Sequence, residues 1–122
     1  MTFVLRALVL ALAAAAPLAN AAPDANASRE IDHLLAFVAA SDCRFVRNGT
    51  EASGKDAREH LMRKLEVARP KLATADQFID HVATGSSMSG QAYKVRCGTR
   101  ELTTNAWLRG ELGRYRKDPK PK

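Results

Sequence analysis

His60 and the serines of residues 86–89 are the side chains whose types could carry out a reaction. A serine becomes a useful nucleophile when a base lies within hydrogen-bond reach and a third group orients that base. One of these serines could act as the nucleophile, with His60 as the base and Asp80 or Glu51 as the orienting group. The chain contains no Gly-x-Ser-x-Gly elbow, and a Ser-Ser-x-Ser-Gly segment is common where a helix connects to a strand. A small hydrolase is therefore the alternative hypothesis for this protein.

The same part of the chain supplies cationic and neutral hydrogen-bond donors, which suit a binding site. Arginine and lysine pair with ionised oxygen atoms, so these residues favour an anionic or carbohydrate-like ligand. The candidate binding residues are Arg47, Asn48, His60, Lys64, Ser86, Ser87, Ser89 and Tyr93. A second role for His60 stays open, because it borders an apolar helix face. It could bond the turn at residue 48 or the serine segment and hold two loops together.

Neither a metal site nor a cofactor is predicted. His33, His60 and His81 are isolated from one another, with no pair four residues apart. The two cysteines do not form a pair at zinc-finger spacing.

Hydrophobic periodicity and capping residues predict the first two helices. The first helix has apolar residues at helical spacing from Ile31 to Val38 and ends near residue 41. The second begins at an N-cap, Ser53, has Asp56 in the capping-box position and ends at Pro70.

Two further helices follow the same signals. A third opens at the capping box of residues 74–77 and ends before Gly85. Thr104 is the expected N-cap of a fourth helix, which contains Trp107 and ends at Tyr115.

Alternating residues predict three short strands, over residues 43–47, 93–97 and 101–103. The first ends at Asn48-Gly49, a strong turn pair. The element order is therefore α-β-α-α-β-β-α. We predict a small single α+β domain whose four helices pack on one face of a short antiparallel sheet.

Cys43 and Cys97 both fall on the predicted helix-covered face of this sheet. In a small protein, an even number of cysteines favours a disulfide where the compartment is oxidising, and we predict one here. The alternative is two buried thiols that pack as small apolar groups.

The N-terminal 21 residues resemble a secretory signal peptide. Arg6 supplies the positive charge, residues 7–16 the apolar segment and Ala19-Asn20-Ala21 the small-residue cleavage site. We therefore expect a protein that is soluble after cleavage, with no membrane span. A flexible lead of residues 22–30 then precedes the domain, which covers residues 31–115.

The formal net charge of +6 is concentrated at the C-terminal end. Residues 114–122 carry five basic side chains against one acid, Asp118. We predict a basic disordered tail over residues 116–122, which could contact anionic lipid weakly. Nucleic acid is not an expected partner, because the rest of the chain is nearly neutral and shows no basic stripe with interleaved aromatic residues.

Several segments, taken together, resemble the YfeK-like family of small bacterial exported proteins. They are Phe45-Val46-Arg47-Asn48-Gly49-Thr50-Glu51, His60-Leu61 with Lys64, Thr74-Ala75, Gln77-Phe78-Ile79-Asp80, Ser86-Ser87, Ser89-Gly90 and Tyr93. The resemblance implies a periplasmic protein of a Gram-negative bacterium and a domain of unknown function. Cys43 and Cys97 are not part of the family pattern. We therefore predict a non-enzymatic binding or interaction module of the cell envelope, whose ligand or protein partner the sequence does not name.

Overall fold

An antiparallel sheet of four strands forms one layer of the fold in the computed structural model, which describes residues 22–120. The strands are β1 (Arg44–Arg47), β2 (Thr50–Ala52), β3 (Lys94–Cys97) and β4 (Arg100–Thr103), in the spatial order β2-β1-β3-β4. Phe45 lies opposite Val95, and Val95 lies opposite Leu102, so these three side chains share the face that meets the core. The predicted signal peptide lies outside the described residues.

Strand β2 is an addition to the three predicted strands. It has only three residues, two of them exposed, so its sequence shows no alternation of buried and exposed positions. Asn48 and Gly49 have φ angles of 51° and 79°, which suit the tight turn of a two-residue hairpin. The turn was predicted, and it folds residues 50–52 back against β1.

Helices cover the apolar face of the sheet, as predicted. They are α1 (Ala25–Ala40), α2 (Gly54–Ala68), α3 (Ala75–Phe78), which continues as a π-helix over Ile79–Ala83, and α4 (Thr104–Lys117), with a 3₁₀ turn over Arg69–Lys71. The predicted caps Ser53 and Thr74 are confirmed, because each side chain accepts a hydrogen bond from the backbone three residues on. The cap of α4 is Thr103 and not Thr104, since the Thr103 hydroxyl oxygen accepts from the Ala106 N–H. The α+β class is thus confirmed.

Buried side chains from all four helices and the sheet form one core. The largest that are fully buried are Ile31, Leu34, Val38, Leu65, Leu72, Phe78, Ile79, Val82, Val95, Leu108 and Leu112. Helix α2 begins close against the end of α1. A Cβ atom added at Gly54 would lie 2.3 Å from the carbonyl oxygen of Val38, so this position requires glycine.

Both ends of the folded region extend beyond the predicted boundaries. Helix α1 begins at Ala25, inside the segment predicted to be a flexible lead, and Asp24 caps it. Helix α4 continues to Lys117, inside the segment predicted to be a disordered tail. The two extensions meet, because the Arg116 guanidinium bonds the buried Glu30 carboxylate over 2.7 Å.

This contact is part of a larger set of ion pairs, which we call the α4 ion pairs. They join Arg109, Arg114 and Arg116 to Glu30, Asp76, Asp80 and Glu111. Arg114 and Arg116, two of the five basic residues at the C-terminal end, are therefore paired with acidic residues of the folded body.

The predicted disulfide between Cys43 and Cys97 is present. The two Cα atoms are 4.5 Å apart, at positions that face each other where β1 and β3 run antiparallel. This spacing is typical of a directly opposed pair without backbone hydrogen bonds. The bridge therefore joins the two central strands of the sheet.

Candidate functional site

Helix α2 and the start of β3 bring three of the predicted site residues into contact. His60 and Lys64 are four residues apart on α2 and so lie on the same side of the helix. The Nε2 atom of His60 is 3.0 Å from the hydroxyl oxygen of Tyr93, and the Lys64 ammonium donates to that oxygen over 3.0 Å. Lys64 also donates to the Gly85 carbonyl over 2.8 Å. We call these three side chains the Tyr93 network, because the buried tyrosine joins the other two.

A cleft of about 280 Å³ opens beside this network, between α2, β1 and the start of β3. We call it the α2 cleft. Phe45, Ala57 and Leu61 give it apolar walls. Its polar lining residues are Arg47, Asp56, Glu59, His60, Arg63, Tyr93, Lys94 and Thr104. Small-molecule sites likewise combine apolar walls with polar groups, although the share of polar residues in this cleft is high.

The electrostatic surroundings of His60 are positive. Burial and, after it, the charges of Arg47, Lys64 and Arg63 lower the pKa of His60 below its ordinary value of 6.5. Both effects act against the imidazolium form. His60 is therefore neutral near pH 7, although it lies in a cluster of cations.

Arg47 and Arg63 have no acidic partner within residues 22–120. Arg63 lies three residues after His60 on α2, and Arg47 ends β1. Their guanidinium groups are thus available to solvent or to a solute beside His60.

The hydroxyl of Thr104 is a further unusual feature of this cleft. Thr104 is 2% exposed, and its Oγ1 atom has no hydrogen-bond partner among the described residues. Buried hydroxyl groups are nearly always paired, so an unpaired one needs an explanation. A water molecule or a polar ligand atom in the adjoining cleft would supply the missing partner.

Asn48 and the serine segment form a separate loop contact. The Ser89 hydroxyl donates to the Asn48 side-chain oxygen over 2.6 Å, and the Asn48 amide donates to the Ser86 hydroxyl over 3.4 Å. The Ser86 hydroxyl also accepts from the backbone N–H groups of Met88 and Ser89. The turn at residue 48 and the serine segment are therefore held together, as one hypothesis for His60 proposed. The side chain that joins them is Asn48, whereas His60 bonds Tyr93.

The residues considered for a catalytic relay have other partners. Asp80 accepts hydrogen bonds from Arg109 and Asn105, and Glu51 lies on the exposed face of the sheet in an ion pair with Arg96. Ser87 lines a second hollow that also contains His60, but the hydrogen bond of His60 in the described structure goes to Tyr93. Within residues 22–120, no hydrogen bond connects His60 to one of these serines or to Asp80 or Glu51.

Residues 25–116 match a family of unknown function, DUF5329. The chain belongs to this family. Over 60 residues it is 43% identical to the uncharacterized protein YfeK of Salmonella typhimurium, an alignment that covers 49% of this chain and 50% of YfeK. The chain therefore spans about half the length of the curated relative that it matches. No solved structure matches it.

The resemblance to YfeK-like proteins is thus confirmed, and with it the description as a domain of unknown function. Neither match names an activity. In the part of the chain that the structure describes, no helix has the length and apolar character needed to cross a membrane.

The three histidines of this family member lie in different places. His33 bonds Glu111 over 2.7 Å and stacks on Tyr115, while His81 lies on the π-helix after α3. Within residues 22–120 there is no group of three or more histidine, cysteine or acidic side chains that could hold a metal ion.

Sequence reasoning did not identify Arg63 or Thr104 as site residues. Arg63 could have been found, because it stands three residues after His60 and so lies on the same side of a predicted helix. Thr104 could not, because it reaches the cleft only through the pairing of β4 with β3 and a backbone bond from its N–H to the Tyr93 carbonyl.

Proposed function

We propose that this protein is an exported protein of the bacterial cell envelope that binds a small anionic ligand in the α2 cleft. The observation that carries the proposal is the pair of guanidinium groups, Arg47 and Arg63, beside a neutral histidine. Guanidinium groups bind carboxylate and phosphate through paired hydrogen bonds, and they do so more strongly where water is partly excluded. Two arginines without acidic partners, at the edge of a partly apolar cleft, are therefore suited to capture an anion.

Two other features support a binding role. The unpaired Thr104 hydroxyl lacks a hydrogen bond that a ligand could supply, directly or through a water molecule. The Asn48 contact and the Tyr93 network hold the surroundings of the cleft in place without the anion. A preformed site loses less conformational freedom when its ligand binds.

Export is supported by the signal-like residues 1–21 and by the disulfide, since disulfides persist mainly in oxidising compartments. Expression of the full chain in a Gram-negative host tests it. We expect the protein in the periplasmic fraction, with a mass that corresponds to a chain beginning at or near Ala22. An uncleaved chain in the cytoplasmic fraction would contradict export.

Ligand-induced thermal stabilisation tests the binding role. The probes are inorganic phosphate, phenyl phosphate, benzoate and the neutral sugar glucose, each added to protein purified from the periplasm. At ten times its Kd, a ligand of the folded state adds about 1.4 kcal/mol, which raises the Tm of a domain of this size by about 6 °C. We expect this shift with at least one anion and no shift with glucose.

The arginine variants locate the site. Arg47→Gln and Arg63→Gln should each reduce anion binding while the unliganded protein keeps its Tm, because neither side chain has an acidic partner in the described structure. Arg58→Gln is the matched control, since Arg58 lies on the same helix outside the cleft. Equal binding by all three variants, or no shift with any anion, would overturn the proposed function.

A further inference from the structure

The hydrogen bonds of the Tyr93 network have a definite direction. The Lys64 ammonium has no acceptor atom, so the Tyr93 hydroxyl oxygen must accept from it. Among the described residues, the one acceptor within reach of the Tyr93 hydroxyl hydrogen is Nε2 of His60, 3.0 Å away. The reverse arrangement, in which Nε2–H donates to the same oxygen, leaves the hydrogen of this buried hydroxyl without an acceptor and is therefore disfavoured. In the favoured arrangement Nε2 is an acceptor and carries no proton.

This direction determines which nitrogen of His60 is protonated. His60 is neutral near pH 7, because burial and the neighbouring cations lower its pKa. A neutral imidazole carries one proton, so that proton is on Nδ1. Among the described residues no group bonds Nδ1, and the ring lines the α2 cleft. His60 thus offers an N–H donor.

The charged groups near His60 also favour a ligand atom that accepts a hydrogen bond. Arg47, Arg63 and Lys64 are cations without acceptor atoms, and all three shift the pKa of His60 in the same direction. Asp56, Glu59 and Lys94 also line the cleft, but the charges that shift the pKa of His60 are cations. A ligand atom that reaches His60 must be an acceptor, and negative charge on it is favoured.

We infer that the α2 cleft binds a small organic oxyanion with an apolar body, and that Tyr93 and Lys64 are positioning residues that hold His60 as the Nδ1–H tautomer for its anionic group. The apolar body would pack on Phe45, Ala57 and Leu61. The inference rests on the proposed function and narrows it, because it names the anionic group as a carboxylate or phosphate ester that only accepts hydrogen bonds.

The tautomer can be measured without a ligand. Long-range ¹H–¹⁵N spectra of the ¹⁵N-labelled protein at pH 7.5 distinguish protonated from unprotonated ring nitrogens. We expect His60 to show a protonated Nδ1 and an unprotonated Nε2. In Tyr93→Phe the fraction with a protonated Nδ1 should fall, whereas Tyr115→Phe, which changes the tyrosine stacked on His33, should leave His60 unchanged. A protonated Nε2 in the unaltered protein would overturn the inference, whether or not Tyr93→Phe folds.

Calorimetry with ligands of similar shape tests whether the cleft prefers a group that only accepts hydrogen bonds. Benzoate should bind at least tenfold more tightly than benzamide, which replaces one carboxylate oxygen by an N–H donor and has no charge, or benzylamine, which offers donors alone. Phenyl phosphate compared with benzoate distinguishes the phosphate from the carboxylate group. Inorganic phosphate that binds as tightly as phenyl phosphate would overturn the role of the apolar body.

The Tyr93→Phe variant connects the tautomer measurement with the affinity measurement. Its affinity for the tighter oxyanion should fall about tenfold, as expected when one hydrogen bond to a charged group is lost. Oxyanion binding that depends on Arg47 and Arg63, with His60 protonated on Nε2, would overturn this inference and leave the proposed function standing. A protonated Nδ1 with no bound oxyanion would overturn both.

Discussion

The arginines of α4 and those of the α2 cleft lie in opposite electrostatic surroundings. Arg109 and Arg116 donate to Asp80 and Asp76, and these hydrogen bonds hold the pKa of each carboxyl below its usual value. In the cleft, Arg47 and Arg63 have no such partner within residues 22–120, and with burial they lower the pKa of a histidine. The α4 arginines form ion pairs that join elements of the fold. The cleft arginines form no ion pair within the described residues, so their guanidinium groups remain free to bind a solute.

The two regions are also held together differently. The α4 ion pairs connect α1, the π-helix segment and α4 through side chains that are far apart in sequence, such as Glu30 and Arg116. The cleft region depends instead on a covalent link between β1 and β3 and on close backbone packing where α2 begins. Substitutions among the α4 ion pairs should therefore change mainly the free energy of unfolding. Substitutions of the cleft arginines should change mainly the affinity for an anion.

Loss of the disulfide should have the largest effect on stability. The bridge closes a long loop, with a sequence separation of 54, and the chain-entropy model gives such a link about 4 kcal/mol. We expect Cys43→Ser/Cys97→Ser to lower the free energy of unfolding by about this amount in urea titrations. A loss below about 1 kcal/mol would show that the cleft strands do not depend on the bridge.

Gly54→Ala should be the next most destabilising change. The added Cβ would lie 2.3 Å from the Val38 carbonyl oxygen and 2.8 Å from that of Ser41, so α1 and α2 must separate. Overpacking of this kind costs about 1–3 kcal/mol. Gly110→Ala in α4 is the control, because its Cβ meets nothing within 4 Å, and it should gain about 0.5–1 kcal/mol. Equal effects of the two substitutions in urea titrations would contradict the close contact at α2.

Arg114→Ala should destabilise the protein by about 2 kcal/mol. It leaves the Glu111 carboxylate, whose side chain is 2% exposed, with His33 as its remaining partner. Lys117→Ala on the same helix is the control and should change the free energy of unfolding by less than about 0.5 kcal/mol. If Arg114→Ala matches that control, the α4 ion pairs do not contribute to stability as argued.

Thr104→Val should increase the stability of the unliganded protein by about 1 kcal/mol, because it removes a buried hydroxyl without a partner and keeps the side-chain shape. The same variant should bind anions more weakly if the ligand bonds this hydroxyl. A loss of stability in thermal unfolding would show instead that Thr104 already has a partner, such as a water molecule.

The smallest effects should appear in the pH dependence of stability, where the two regions act in different pH ranges. The pKa of His60 is lowered from 6.5, so the folded state resists protonation and stability falls as the pH drops below about 6.5. The pKa values of Asp76 and Asp80 are lowered from 3.8, so their contribution is complete above that value and declines at more acidic pH.

Urea titrations between pH 3 and 8 can separate these ranges. His60→Gln should reduce the slope of stability with pH just below 6.5. Arg109→Ala should lower stability throughout the range above about pH 4 and should change the slope of stability with pH only in the acidic range. A His60→Gln curve parallel to that of the unaltered protein would show that His60 is not held neutral by the fold.

Local sequence signals predicted the parts of the fold that depend on neighbouring residues. The caps Ser53 and Thr74 and the hairpin turn at Asn48-Gly49 are recognisable because their hydrogen bonds and backbone angles involve residues close in sequence. Strand β2 was missed because three residues with little burial show no pattern until β1 pairs with them. The extra turns of α1 and α4 were missed because Glu30 and Arg116, which join them, are 86 residues apart.

By itself, the sequence determined the α+β class, the four helices and the resemblance to a family of unknown function, and it favoured a disulfide between Cys43 and Cys97 over two buried thiols. Only the tertiary structure decided that His60 bonds Tyr93, that Arg63 joins Arg47 at one cleft and that the Thr104 hydroxyl has no partner among the described residues. The reason is physical. Helical period and capping depend on residues a few positions apart, whereas the direction of a hydrogen-bond network and the burial of a charge depend on distant segments that the fold brings together.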